Sequence, residues 1–440
     1  MGTSTRRSRR LMALAAVAAL ATGLLAGCSK DSDDSSSNDS GGNAKGKTTL
    51  TIGTFGVFGY KQAGLYDEYM KLHPTISIKE NVTTRTDVYW PKVLTRLQAG
   101  SGTDDVQAIE VGNITEAVQT QGNKFVDLGK EVDKSQWLGW KNSQATTKDG
   151  KLIGLGTDVG PMAICYRKDL FKKAGLETDR TKLAEQWKGD WAKYVDVGKD
   201  YMKKAPKGTK FVDSASSVYN AALGGASERY YDKGGNVIWD KSDGVKKSWN
   251  DAMTVATSDM SAKLKQFDKP WDQGFANASF ATVACPAWMI GYIEQKSGDS
   301  GKGNWDVAAA PTAANWGGSF LGVPTAGKHQ KEAIALTKWL TAPEQQAKVF
   351  AKQASFPSTP SAYAGLKPAA DTTAYFSNAP ITQIFADSAK TIPVQYFGIK
   401  DQPINTAITD VGILQVEQKG KSPTQGWDAA KNEVKDVLGQ

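Results

Sequence analysis

The run Thr49-Leu50-Thr51-Ile52-Gly53-Thr54-Phe55-Gly56-Val57-Phe58-Gly59-Tyr60 decides how the rest of the chain is read. Its first four residues alternate and are rich in β-branched side chains, which predicts a strand with one face buried. The glycines after Ile52 end that strand in a loop crowded by Phe55, Phe58 and Tyr60. Downstream, Leu65, Tyr69 and Leu72 fall at helical spacing until Pro74 breaks the pattern, and Ile76-Ser77-Ile78 predicts a second strand. Val93, Leu94, Leu97 and Gln98 predict a helix closing at Gly100, and Val106 to Val111 a third strand. Strands and helices alternating at this spacing predict a parallel α/β lobe.

The rhythm resumes at Gly160. Met162 to Tyr166 predicts a strand, Asp169 to Ala174 a short helix stopping at Gly175, and Trp187 to Met202 a longer amphipathic helix. Gly224-Gly225 and Gly234-Gly235 punctuate a hairpin-like stretch. Residues 330–353 are strongly helical, with Pro343 opening a second helix at its first turn. Ile404 to Gln418 and Gly426 to Leu438 predict two closing helices. A chain of 440 residues normally divides into at least two domains, and no internal repeat or heptad run is present.

The N-terminus carries an address. Arg6, Arg7, Arg9 and Arg10 precede an apolar run, Leu11 to Leu25, too short to span a bilayer comfortably; residues 1–27 are therefore expected to be a signal peptide. Leu25-Ala26-Gly27-Cys28 resembles the bacterial lipobox, which implies a diacylglyceryl group on Cys28 and anchoring to the outer face of the cell membrane. Residues 28–47 are then the lipidated cysteine and a tether of Ser, Asp, Gly, Asn and Lys with too little apolar surface to repay ordering. Its 19 residues after Cys28 would span about 24 Å as a flexible coil. Cleavage removes four arginines and no acid, lowering the net charge from +8 to +4, so the basicity gives little support to nucleic-acid binding.

Chemical machinery is sparse. Gly41-Gly42-Asn43-Ala44-Lys45-Gly46-Lys47-Thr48 fits the phosphate-loop pattern, but it follows the tether and precedes a strand, whereas a working loop opens a helix. The two histidines, His73 and His329, lie in polar surface contexts without ligand-spaced partners, so no metal or cofactor is expected. No pair among the 46 acids stands out as hydrolytic. Cys165 and Cys285 remain after cleavage, either bridged in an oxidising compartment or as two buried thiols. What stands out is an inventory of 13 Trp, 14 Tyr and 14 Phe, several in loops beside Gly or Pro. Aromatic planes suit the C–H face of a sugar ring while amides and carboxylates suit its hydroxyl rim; core packing is the competing use of each ring taken singly.

Four segments together resemble the extracellular solute-binding lipoproteins of carbohydrate ABC importers (family 1 type). They are Asp87 to Ile109, with Trp90-Pro91-Lys92, Gly100-Ser101-Gly102 and Asp104-Asp105-Val106; Asp158-Val159-Gly160-Pro161-Met162 through Phe171; Phe280 through Cys285-Pro286-Ala287-Trp288; and Trp316-Gly317-Gly318-Ser319 followed by Lys331 to Phe350. The resemblance implies an α/β, two-lobed periplasmic-binding-protein-like fold of type II, each lobe a sheet flanked by helices, with hinge crossovers. Residues 48–157 plus 312–362 would form one lobe and 158–311 plus 363–440 the other. It implies a non-enzymatic monomer with no catalytic residue, serving an ABC permease and, through it, an ATPase. Sugar contacts carried over by the resemblance are Phe58, Tyr60, Glu110, Asn113, Asp158, Tyr219, Trp288, Trp316 and the late aromatics Tyr396 and Phe397. The segment Gly53 to Tyr60 is similar to that of binders of β-linked chains such as cello-oligosaccharides; here aromatics replace the family's acid-rich first loop, which favours stacking.

Overall fold

The computed structural model describes residues 46–440. The expected leader, Cys28, most of the tether and most of the phosphate-loop match lie outside the described residues. The end of that match, Thr48, opens a strand rather than a helix.

Among the described residues, eleven strands are distributed over three sheets. Strands β1 (Thr48–Phe55), β2 (Ile76–Thr83), β3 (Val106–Glu110) and β4 (Leu155–Gly156) lie on one side of the crossovers, and β5 (Asp158–Val159) lies within them. Strands β6 (Met162–Arg167), β7 (Lys210–Val212), β8 (Phe280–Pro286) and β9 (Trp305–Ala309) lie on the other side. The chain then returns through β10 (Ser319–Gly322) and closes with β11 (Phe356–Pro357). The first lobe is a five-stranded sheet ordered β2-β1-β3-β10-β4, and the second a four-stranded sheet ordered β7-β8-β6-β9. Leu50 and Ile52 of β1 are fully buried, each worth about 1.5–3 kcal/mol of apolar burial.

The lobes are not purely parallel. β1 pairs in parallel with β2 and β3, as the alternating pattern predicts, but β10 returns from the other lobe and runs antiparallel to β3 and β4. A strand entering from outside the local βαβ rhythm is free of the crossover rule that keeps sequential strands parallel. Three chain segments cross between the lobes. Around Gly160 the outgoing and returning segments are bound together, with the Trp316 amide donating to the Gly160 carbonyl at 2.9 Å and the Gly160 amide to Asn315 Oδ1 at 2.9 Å. The third carries β11, which pairs antiparallel with β5 of the outgoing segment, Phe356 opposite Val159. Phe350, Ala354, Phe356 and Ala362 pack into one core cluster with Val283, Ile290 and Trp305 of the second lobe, so core packing passes to that side before residue 362.

Local departures have local causes. The helix expected over 187–202 is two, Arg180–Trp187 and Trp191–Met202, broken where Gly189 takes φ +83° and donates to the Pro311 carbonyl at 2.7 Å. Asp190 then caps the second helix. The hairpin-like stretch holds a single isolated bridge, Tyr231 with Val237. The last helix begins at Pro423, ahead of Gly426, because Ser422 and Gln425 form a reciprocal capping box. The one before it runs as Asp401–Thr406, a π-helical turn Ala407–Ile413, and Leu414–Glu417.

Candidate functional site

Between the lobes lies a cavity of about 500 Å³ walled by aromatic and polar side chains from both. That size accommodates a small-molecule ligand. Its first-lobe wall begins where β1 ends: Phe55 and Phe58 meet edge to face at 5.2 Å and Phe58 tilts against Tyr60 at 5.8 Å. Gly59, at φ +85°, brings this loop so close to Val349 and Gln353 that a Cβ would collide with them. The Tyr60 hydroxyl is buried without a hydrogen-bond partner among the described residues.

The cavity is also lined by a pair of indoles at 6.1 Å and 82° to one another, Trp288 from just past β8 and Trp316 from the returning crossover. Trp288 Nε1 donates to the Trp316 carbonyl at 2.9 Å, and Phe267 backs Trp288 at 6.2 Å. The glycines are required sterically: a Cβ on Gly317 would lie 2.9 Å from Trp288 Nε1, and one on Gly160 only 1.9 Å from the Trp316 carbonyl oxygen. Cys165 and Cys285 form a disulfide with Cα atoms 5.5 Å apart, joining β6 to β8 just before Trp288.

The floor carries charge. Asp158 Oδ1 accepts from the Ser319 amide at 3.0 Å and from Thr157 Oγ1 at 2.6 Å, while Glu110 Oε2 caps the helix Val111–Thr120 through the Gly112 amide at 2.5 Å. Lys141 is buried beneath them, its Nζ 3.9 Å from the Phe320 ring centroid. Burial raises Glu110 to about 7 and lowers Lys141 to about 8, and it also raises Asp158 against the pull of Lys141.

Six of the ten residues expected at the site line this cavity: Phe58, Tyr60, Glu110, Asp158, Trp288 and Trp316. Four do not. Asn113 is buried behind the wall, donating to Thr86 Oγ1 at 3.4 Å. Tyr219 sits in the second lobe's core, its hydroxyl 3.2 Å from that of Tyr230, so core packing claims it. Tyr396 is held by its backbone to the Ser227 carbonyl, and Phe397 lies under the Arg229 guanidinium at 5.0 Å, packed on the first lobe's core. His73 and His329 lie away from the cavity, and no metal-ligating cluster occurs among the described residues.

Sequence reasoning missed the cavity's charged corner. Arg85, just after β2, donates Nε and Nη2 to Asp87 at 3.0 and 2.8 Å. It also crosses to the second lobe, reaching the Gln266 carbonyl at 3.1 Å, Asp268 at 3.2 Å and Asp410 at 3.3 Å. Lys265 binds the same Asp410 at 2.9 Å. Asp410 is presented by the π-helical turn, a geometry often found at functional sites. No local signal marks these partners, because they are distant in sequence.

Comparison with known proteins bears on the family and the fold. The chain is 25% identical over 343 residues to the arabinooligosaccharide-binding protein of Bacillus subtilis (strain 168), spanning 72% of this chain and 73% of that one. It is 23% identical over 378 residues to the lactose-binding protein of Rhizobium radiobacter, spanning 81% and 84%. A crystal structure of an extracellular solute-binding protein of family 1 superposes with a TM-score of 0.73 at 39% identity, covering 88% of this chain and 99% of that one. These relatives bind solutes rather than transform them. No described helix is long and apolar enough to cross a membrane. Residues 64–377 match the model of the bacterial extracellular solute-binding proteins, and the chain belongs to that family.

Proposed function

We propose that this protein captures an oligosaccharide in the interlobe cavity and delivers it to the permease of an ABC importer, tethered outside the cell by a lipid on Cys28. The observation that carries this reading is the pair of near-perpendicular indoles, Trp288 and Trp316, lining the same cavity as Phe58 and Tyr60. Such planes cover the C–H faces of pyranose or furanose rings, and carboxylates on the floor accept from their hydroxyls. The names of the two sugar-binding relatives support the same ligand class. Within it, the Gly53 to Tyr60 segment favours β-linked chains.

Each lobe supplies half of the contacts, so a sugar touching both favours closure by its differential affinity for the closed form. The lobes on this reading are 48–157 plus 312–362, and 158–311 plus 363–440, acting as a monomer. Titration calorimetry against di- and trisaccharides tests the reading. Saturable binding of at least one supports it, and silence from all, or turnover of any, rejects it. Separately, Cys28→Ala is expected to release the protein from membranes, and continued membrane association would reject the lipid anchor.

A further inference from the structure

Three cationic side chains line the cavity, Arg85, Lys265 and Lys296, and each is already engaged by protein. A guanidinium has five N–H donors. Arg85 uses all five: Nε and one Nη2 hydrogen on Asp87, the other on Asp410, and the two of Nη1 on Asp268 and the Gln266 carbonyl. Lys265 lies 2.9 Å from Asp410, and Lys296 lies 2.8 Å from Asp272 and 5.2 Å from the Tyr292 ring centroid. Each lysine retains N–H donors but sits against a carboxylate that cancels much of its field.

The acids are in surplus. Five line the cavity, Asp87, Glu110, Asp158, Asp272 and Asp410, against three cations; Lys141 beneath the floor offsets part of Glu110 and Asp158. On the two floor carboxylates the atoms left over are acceptors. Asp158 Oδ1 takes both of that residue's hydrogen bonds and Glu110 Oε2 takes its one, leaving Oδ2 and Oε1 without partners among the described residues. Gln266 Nε2 donates to the Asp213 carboxylate at 3.0 Å, and because a carboxylate only accepts, the amide presents its oxygen away from Asp213. An acceptor-rich floor suits hydroxyl donors, whereas a sugar carboxylate brings an acceptor and a charge with no free cation to meet it.

We propose that the cavity selects uncharged saccharides and turns away those bearing a carboxylate, its cations being already paired with protein carboxylates, Arg85 across the lobes and Lys265 and Lys296 within the second. This rests on the sugar-binding reading and narrows its ligand class. The test is calorimetry at pH 7.5 on the full chain, with pairs of gluco-, galacto- and arabino-configured oligosaccharides. In each pair one member is neutral and the other has a primary hydroxyl oxidised to the carboxylate. At the separations of a cavity this size, one uncompensated like charge is expected to weaken the oxidised member by roughly tenfold. Asp410→Asn, checked for folding by its melting transition, relieves Arg85 and Lys265 of their shared partner and is expected to narrow that gap. Oxidised sugars binding as tightly as their neutral partners, or a gap unchanged in Asp410→Asn, would overturn the selectivity while leaving sugar binding standing. Silence from neutral and oxidised sugars alike would overturn the parent reading and this inference with it.

Discussion

Two parts of the cavity lining, termed its aromatic and charged ends, are built differently. At the aromatic end, Trp288 stands just past a strand stapled by the Cys165–Cys285 disulfide, its indole N–H bound to a backbone carbonyl and close neighbours pared to glycine. At the charged end, Arg85 follows an edge strand and holds Asp268 and Asp410 of the other lobe by half-exposed ion pairs. The first is a rigid surface whose faces await a partner; the second already has its partners and they lie across the gap. Gripping a ligand calls for preorganised planes, whereas opening and closing calls for contacts that break cheaply. One cavity thus separates holding from hinging.

The largest effect should come from the staple. Replacing both Cys165 and Cys285 by serine is expected to cost about 2–5 kcal/mol of unfolding free energy, measured by denaturant titration. A loss far below that would show the aromatic end to be rigid without its bridge. Next, Trp288→Ala should weaken sugar binding by about 1–3 kcal/mol with the fold intact. Unchanged affinity would assign Trp288 to packing alone. Arg85→Ala should cost about 1 kcal/mol of closure, since its ion pairs are partly exposed. The readouts are a larger radius of gyration in X-ray scattering and a several-fold faster release of ligand. No change in either would show that the lobes are held elsewhere.

The smallest effect is one of pH. Glu110 and Glu417 are each raised by burial to about 7, whereas in the unfolded chain they ionise near the ordinary glutamate value of 4.5. Between those values the folded state holds more protons than the unfolded one, so their contribution to stability falls as pH rises from about 4.5 to about 7. Above about 8, Lys141 acts in the opposite sense, because its folded form sheds a proton that the unfolded chain keeps. Glu110→Gln should flatten part of the fall in unfolding free energy between pH 5 and pH 7, and an identical profile would remove Glu110 from the account.

The contrast between the two ends also explains what could be read from the chain. The aromatic end was legible because its parts are local: a glycine-aromatic loop after β1, a tryptophan just past β8, and Trp316-Gly317-Gly318. Tyr219 and Phe397 carried the same signature but fold into a core and an interlobe packing contact, a choice made by tertiary neighbours that residue type does not encode. The charged end left no trace, because Arg85 lies 183 residues from Asp268 and 325 from Asp410. Strands β1, β2, β3 and β6 followed from alternation and glycine punctuation and β8 and β10 from the family resemblance, whereas short strands such as β4, β7 and β9 left no such pattern. The antiparallel entry of β10 did not follow, since it depends on where a distant segment returns.

Saturation-transfer NMR, irradiating the protein's aromatic protons in the presence of a neutral trisaccharide that binds, addresses the gripping surface most directly. The expected result is strong transfer to the sugar's ring C–H protons, lost in Trp288→Ala. Transfer that is absent, or undiminished without that indole, would contradict the assignment of this cavity as a sugar clamp.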